Sequence, residues 1–301
     1  MIDFHCHILP AVDDGAVSID ESISMARSLS AFGYKTVCCT PHCIKGSYDI
    51  TPQKVREATL MLQADLDNAD VQLELWPGME YMLDEHFSDY IDDLLTLGET
   101  KLVLCQAPPR THTDYIVEGL KRIVEKGFVP FIAHPERSQY FYEILMERGT
   151  KNGERDESID QKARDEKSRD EECQQRSKRF LKKFWPFASK SSRSVSRESL
   201  PSASHGPRPA FPEGCLFHAN LGSFTGFYGS QVQARAYEIL KNSAYTGIAS
   251  DLHNSASVVP VLQRDKLALN PLLEKLSDFN GVVPGINSTD DFTTAEQIGL
   301  F

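Results

Sequence analysis

The sequence predicts an α/β fold in which parallel strands alternate with helices. Three observations predict it. Short apolar runs alternate with longer amphipathic ones along most of the 301 residues. Histidines and acids gather at the ends of the apolar runs. One block of dense charge, after residue 148, interrupts the alternation once. At 41% hydrophobic and 25% charged, the chain can build one large core.

The strand candidates, in order, are Ile2–His7, Thr36–Thr40, Val71–Trp76, Leu102–Cys105, Phe128–Ala133, Cys215–Ala219 and Gly247–Ser250. Each is short, apolar and rich in residues that suit a pleated surface. The first helix candidate opens at Ser18 with Glu21 three residues on, a capping box, and carries Ile19, Ile23, Ala26 and Leu29 on one face. The others are Pro52–Asn68, Asp84–Leu95, Asp114–Lys126, Tyr140–Arg148, Ser230–Lys241 and Ser257–Leu276. Seven strand–helix units read as a closed βα barrel or an open doubly wound sheet. No glycine-rich phosphate loop is present, which takes weight from a nucleotide-binding sheet.

Residues 149–210 form a long charged insertion in a single domain made of 1–148 and 211–301. From Glu147 to Arg208 the chain carries 16 Lys/Arg and 11 Asp/Glu, half of all its basic residues. Such dense charge with Ser and Pro predicts disorder. Its second half interleaves basic residues with Phe180, Phe184, Trp185 and Phe187. That composition suits an anionic membrane surface, or a solvated linker whose aromatics pack locally. The overall charge of −11 argues against generic nucleic-acid binding. There is no apolar run of membrane-spanning length. The acid and histidine of Met1-Ile2-Asp3-Phe4-His5 do not suit a signal peptide. Seven cysteines without a disulfide or zinc spacing fit a reducing cytoplasm.

The chemistry lies at the strand ends. His5 and His7 are two apart on the first strand and so face one side. His42 follows the second strand, Glu80 the third and His134 the fifth. Asp251 and His253 follow the seventh. In a βα barrel those ends meet at one mouth. Imidazole and carboxylate without thiolate suit zinc, manganese or iron, and seven donors suit two or three ions. A thiol phosphatase is disfavoured, because the one cysteine followed six residues later by arginine, Cys173 with Arg179, lies in the charged insertion and not at a strand end. No nucleophile elbow of the Gly-x-Ser-x-Gly type is present either.

Four segments carry a resemblance. They are His5-Cys6-His7-Ile8-Leu9-Pro10-Ala11-Val12-Asp13-Asp14-Gly15, Thr40-Pro41-His42, His134-Pro135-Glu136-Arg137 and Ser250-Asp251-Leu252-His253-Asn254. Together they resemble the PHP superfamily (polymerase and histidinol phosphatase). The first resembles its bacterial metal-dependent tyrosine-protein phosphatases of capsule and exopolysaccharide synthesis, the CpsB/CapC type. The segment from Asn220 to Gly226 is similar to a family segment as well. The resemblance implies a distorted seven-stranded, TIM-barrel-like (β/α) PHP barrel and a centre of two or three ions, typically manganese, with iron or zinc as alternatives. It implies His5, His7, His42, Glu80, His134, Asp251 and His253 as metal ligands, and Asp14 and Arg137 as residues near the phosphate.

Two positions depart from the family pattern. Gln106 stands where the family has a ligand glutamate, and it can coordinate only through an uncharged carbonyl oxygen. Val258 stands where a phosphate-binding arginine is common, with Arg264 nearby. The implied activity is phosphotyrosine hydrolysis by a metal-activated water. The implied substrate is the tail of a membrane tyrosine kinase, met in the cytoplasm or at the inner face of the membrane. Two alternatives stand beside it: a small-molecule phosphoesterase like histidinol phosphatase, and a weakened metal-binding protein that regulates the kinase by docking.

Overall fold

The computed structural model describes residues 1–108, 112–151 and 211–262. Most of the charged insertion, Arg264 and the greater part of the predicted helix Ser257–Leu276 lie outside the described residues. The strands are β1 (Ile2–Cys6), β2 (Thr36–Cys39), β3 (His42–Cys43), β4 (Glu74–Pro77), β5 (Glu80–Met82), β6 (Leu102–Gln106), β7 (Val129–Ala133), β8 (Leu216–Asn220) and β9 (Gly247–Ala249). The helices are α1 (Ile19–Phe32), α2 (Pro52–Asn68), α3 (Thr113–Glu125), α4 (Gln139–Lys151), α5 (Leu221–Thr225), α6 (Ser230–Lys241) and α7 (Val258–Val261). No helix among the described residues is long and apolar enough to cross a membrane.

Every strand pairing is parallel. One sheet runs β1-β2-β4 and the other β3-β5-β6-β7-β8-β9. The predicted second strand continues past a break as β2 and β3, with Thr40-Pro41 between. The predicted third continues as β4 and β5, with Gly78-Met79 between. Proline supplies no N–H to a ladder, so each break falls at or beside one. Backbone bonds span the breaks: Gly78 N donates to Cys39 O (3.0 Å) and Glu80 N to Pro41 O (3.0 Å). At the other edge Asp251 N donates to His5 O (2.8 Å) and His7 N to Leu252 O (2.9 Å).

The helices start and stop for local reasons. Ser18 caps α1 by accepting from Glu21 N, while Glu21 accepts from Val17 N, and Gly33 ends the helix in the left-handed region. Thr51 caps α2 ahead of Pro52. The expected helix Asp84–Leu95 is only a 3₁₀ turn at Phe87–Asp89. Its Asp84 accepts from His86 N, an Asx-type bond that competes with helix. A five-residue helix, α5, stands where none was expected, capped by Asn220 on Gly222 N.

Side-chain alternation divides the buried residues into two clusters. One face of the strands carries Phe4, Cys38, Leu102, Leu104, Phe131 and Ala133. The other packs Val37, Cys39, Val103, Cys105, Ile132, Phe217 and Ala219 into the larger cluster that includes the helices. β1 breaks its own alternation. Its register against β2 slips by one residue between Asp3 and Cys6, a bulge. Phe4 therefore packs edge-on against Phe131 (5.6 Å) while the next residue, His5, meets His218 (5.1 Å), whose ring also lies against Phe131 (5.3 Å). The bulge places an apolar layer directly beneath the first histidine.

A buried carboxylate ties the last strands together. Glu136 is fully buried and accepts from Ser223 Oγ (2.6 Å), Tyr245 Oη (2.8 Å) and Asn220 N (3.3 Å). Removing it strands three buried donors. Glu136→Ala is expected to lower unfolding free energy by about 3 kcal/mol in urea titration, and Glu136→Gln by less. An unchanged midpoint in both would refute this role.

Candidate metal centre

The C-terminal strand ends bring together the histidines and acids predicted to share a mouth. His5, His7, Glu80 and Asp251 are all essentially buried. His5 Nε2 lies 3.0 Å from His7 Nε2, 3.5 Å from Glu80 Oε2 and 3.4 Å from Asp251 Oδ1. His7 Nε2 lies 3.4 Å from the same Asp251 oxygen and 3.7 Å from Glu80 Oε2. His134 Nε2 is 3.2 Å from Glu80 Oε1. Further out, His42 Nδ1 is 2.7 Å from Glu80 Oε2 and 3.1 Å from the Gln106 amide. Asp14, half-exposed, has Oδ1 3.4 Å from His42 Nε2 and 3.7 Å from His253 Nε2. Among the described residues three groups have ligand atoms close enough for an ion: His7/Asp14/His42/His253, His5/His7/Asp251 and His5/Glu80/His134.

Several backbone features set these positions. His134 and Asp251 both adopt left-handed conformations (φ 34° and 51°), which non-glycine residues seldom do. Each turns its chain sharply as the strand ends. The segment after β1 folds back over His7, with Ala16 N on His7 O (3.0 Å). Only glycine fits at position 15, where a Cβ would lie 2.1 Å from His7 O and 2.6 Å from His7 Cβ.

The hydrogen bonds decide which ring nitrogen carries a proton. Asp13 Oδ2 lies 2.6 Å from His7 Nδ1 and also accepts from His42 N (2.9 Å), while Asp13 Oδ1 accepts from Gly15 N. His7 thus donates from Nδ1 and turns its Nε2 lone pair toward His5, Glu80 and Asp251. His253 Nδ1 faces the Asp251 carbonyl (3.1 Å), which can only accept, so its Nε2 lone pair faces Asp14. Asp251 Oδ2 receives Arg137 Nη1 (2.8 Å), Asn220 Nδ2 (2.6 Å) and Tyr228 Oη (3.3 Å). Its Oδ1 is left to the histidines.

This donor set fits a cation. Glu80 Oε2 is fully buried beside three histidine nitrogens, yet it accepts no hydrogen bond of acceptable geometry even from His42 at 2.7 Å. Carboxylate oxygens and imidazole lone pairs converge there with no well-aligned donor, the arrangement a divalent ion satisfies. The thiols take no part. Burial pushes Cys39 and Cys43 up to about 12 and Cys105 well above its ordinary value.

The electrostatics agree. Burial would raise the carboxyl of Glu80, but His5, His42 and His134 hold it well below the usual range. Asp251 is likewise held low against burial, by His5, His7, His134 and Arg137. Burial also works against Asp13, which its bond from His7 brings down to about 2. Desolvation opposes the charged ring of His7, but Asp13, Asp251 and Glu80 outweigh it and raise His7 well above its ordinary value, so a cation taking the Nε2 lone pair must displace a proton there. Burial and the Arg137 charge lower His134 to about 4.

Arg137 pairs with Asp251, not with its neighbour Glu136, and stacks on Tyr228 (4.6 Å to the ring centroid). Val258 begins α7 and packs partly buried against the core. Asp13, His218 and Tyr228 escaped the sequence reading. Asp13 could have been found as an acid beside Asp14 in the turn after His7. His218 could have been found by its place two residues before Asn220 on an apolar strand. Tyr228 had no local signal.

Gly15→Ala should disturb His7 directly. About 2 kcal/mol of strain is expected from the clash with backbone, read as a lower thermal midpoint. A wild-type midpoint would show that the turn can relax away from His7.

The sequence and the fold have counterparts among known proteins. The family model described as "Capsular polysaccharide synthesis, CpsB/CapC" matches residues 1–151. The tyrosine-protein phosphatase YwqE of Bacillus subtilis (strain 168) is 39% identical over 144 residues, 46% of this chain and 56% of that protein. The tyrosine-protein phosphatase CpsB of Streptococcus pneumoniae is 31% identical over 139 residues, 46% of this chain and 57% of that protein. In both cases the match spans little more than half of the relative's length. The fold is similar to a chain from the crystal structures of YwqE from Bacillus subtilis and CpsB from Streptococcus pneumoniae, described as unique metal-dependent tyrosine phosphatases. The TM-score is 0.63 at 24% identity, over 94% of each chain. The family match covers β1 through α4, including the histidine-bearing turn after β1 and the Glu80 hub, and the chain belongs to the CpsB/CapC family of capsular polysaccharide synthesis.

Proposed function

We propose that this chain is a metal-dependent protein-tyrosine phosphatase acting on the phosphorylated tail of a membrane tyrosine kinase in capsule or exopolysaccharide synthesis. Membership of the family supports this, as do relatives named for that activity. The observation that carries it is the convergence of His5, His7, Glu80 and Asp251 on a buried point without a well-aligned donor. We also read the two sheets as one distorted seven-stranded barrel. The bonds between β1 and the segment after β9 support that reading.

In this reading His5, His7, Glu80, His134 and Asp251 hold the buried ions. His42, His253 and Asp14 hold one nearer solvent; the amide nitrogen of Gln106 lies beside His42, and turning the amide over would present its oxygen there. Two or three divalent cations, manganese before iron or zinc, would activate water and offset phosphoryl charge. The protein's own groups supply the rest. Arg137 keeps Nη1 on Asp251 and its plane on Tyr228, and it is about a third exposed. A guanidinium fixed this way can fork its remaining N–H groups onto two phosphate oxygens. Asp14 faces His42 and His253 through Oδ1, and its carboxylate can orient the attacking water. A phenolate leaves more readily than an alkoxide, so tyrosine phosphate asks little of a general acid.

The first test is phosphatase activity with Mn²⁺ on a phosphotyrosine peptide, compared with phosphoserine and histidinol phosphate. Phosphotyrosine turnover is expected, lost by at least about 100-fold in His7→Ala and raised in Gln106→Glu. Preference for histidinol phosphate would replace the substrate. No turnover of any substrate, even in Gln106→Glu, would overturn the enzyme in favour of a docking regulator.

The basic and aromatic residues of 174–208 support a cytoplasmic seat at the inner face of the membrane. Co-sedimentation with anionic liposomes is expected to disappear when 149–210 is deleted. Unchanged co-sedimentation would exclude the insertion as the contact.

A further inference from the structure

His218 is a buried histidine that the ligand groups above do not use. It lies in the middle of β8, paired with Ala133 on one side and Gly247 on the other. Two small neighbours leave room for its ring, which is fully buried against Phe131 (5.3 Å) and between His5 (5.1 Å) and His134 (6.2 Å). It belongs to none of the three groups of ligand atoms. Its two nitrogens have partners of different kinds. Nδ1 lies 3.3 Å from the Ala219 carbonyl, and Nε2 lies 3.1 Å from His5 Nδ1.

These partners order the protons. A carbonyl can only accept, so His218 carries its proton on Nδ1. A neutral His218 then offers a lone pair at Nε2, and His5 must donate to it from Nδ1. The proton of His5 is thereby kept off Nε2, the atom that faces His7, Glu80 and Asp251. Without this acceptor the balance reverses. Glu80 Oε2 and Asp251 Oδ1, at 3.5 and 3.4 Å, would draw the proton of His5 to Nε2 and block the lone pair there. An apolar side chain would fill the same space and leave His5 Nδ1 with nothing to donate to.

We propose that His218 is a positioning residue of the metal centre, accepting the Nδ1 proton of His5 so that the His5 Nε2 lone pair stays available to a cation. The inference rests on the metal-centre reading given above. His218 does for His5 what Asp13 does for His7 and the Asp251 carbonyl does for His253. It does so with a neutral ring, adding no negative charge behind the centre.

The test uses the full chain, with Mn²⁺ and Zn²⁺ as probes. In His218→Phe, Mn²⁺ affinity by titration calorimetry is expected to fall about 10–100-fold, while the metal-free thermal midpoint stays near that of the wild type. His218→Gln, whose amide oxygen can accept from His5, is expected to recover most of the affinity. In the wild type, ¹⁵N spectra of the histidine rings are expected to show His5 protonated at Nδ1 and without a proton at Nε2, both before and after Zn²⁺ is added. A folded His218→Phe variant with wild-type affinity overturns the proposal, and so does a proton on Nε2 of His5. If the phenylalanine variant does not fold, the ring spectra and the glutamine variant decide in the same sense. A wild-type protein that takes up neither Mn²⁺ nor Zn²⁺ overturns the metal centre and this proposal together. Normal uptake by the wild type with an indifferent His218→Phe overturns this proposal alone.

Discussion

Glu80 is a carboxylate with no exposure to water, and the strand ends are arranged around that fact. A buried charge of this kind costs several kcal/mol unless opposite charge or strong donors meet it. Here the opposition comes from His5, His7, His42 and His134, four histidines drawn from three segments far apart in the chain. The break at Gly78-Met79 carries Glu80 into register with His42 on the neighbouring strand. Position 78 is crowded: a Cβ there would lie 2.6 Å from Leu97 Cδ2 and 3.2 Å from Thr40 Cγ2, so a side chain must push those methyl groups aside. The kink in the third strand and the buried acid beyond it are one feature.

The other buried carboxylates follow a shared logic, in which separate oxygens serve separate neighbours. Asp13 gives Oδ2 to His7 and His42 and Oδ1 to Gly15. Asp251 gives Oδ2 to Arg137, Asn220 and Tyr228 and Oδ1 to the histidines. Glu136 gives Oε1 to Ser223 and Asn220 and Oε2 to Tyr245. Asp3 departs from this logic: Oδ1 accepts from both Ser250 N (2.9 Å) and His5 N (3.4 Å), Oδ2 has no hydrogen-bond partner, and burial lifts its carboxyl to about 6. Each assignment removes a rotamer or tautomer that would otherwise compete. In a low-dielectric interior the bonds to Asp13, Asp251 and Glu136 are stiff, which holds the site's lone pairs in place. The apolar layer of Phe4, Leu104 and Phe131 beneath it shuts out water from below.

Much of this was legible from residue types and spacing. The two-residue step from His5 to His7 implies one face because strand side chains alternate, and both rings reach the same Glu80 and Asp251 oxygens. Ser18 with Glu21 marks the start of α1, because a helix terminus must satisfy its own free N–H groups locally. The segment Asp84–Leu95 misled for the opposite reason. Its periodicity suits a helix, but Asp84 bonds the chain two residues on and leaves only a short turn. The bulge in β1 was not legible, since Phe4 and His5 address the same side only through the pairing of β1 with β2.

What the sequence determined by itself was the parallel α/β plan and the set of donors at the strand ends, because periodicity, capping and residue chemistry are local properties. The tertiary structure alone decided which oxygen faces which nitrogen. Arg137 passes over its neighbour Glu136 and binds Asp251, more than one hundred residues away. His218 meets His5 across 213 residues of chain. Hydrogen-bond partners and ring tautomers are set by distances of about 3 Å between strands, and no spacing along the chain encodes them.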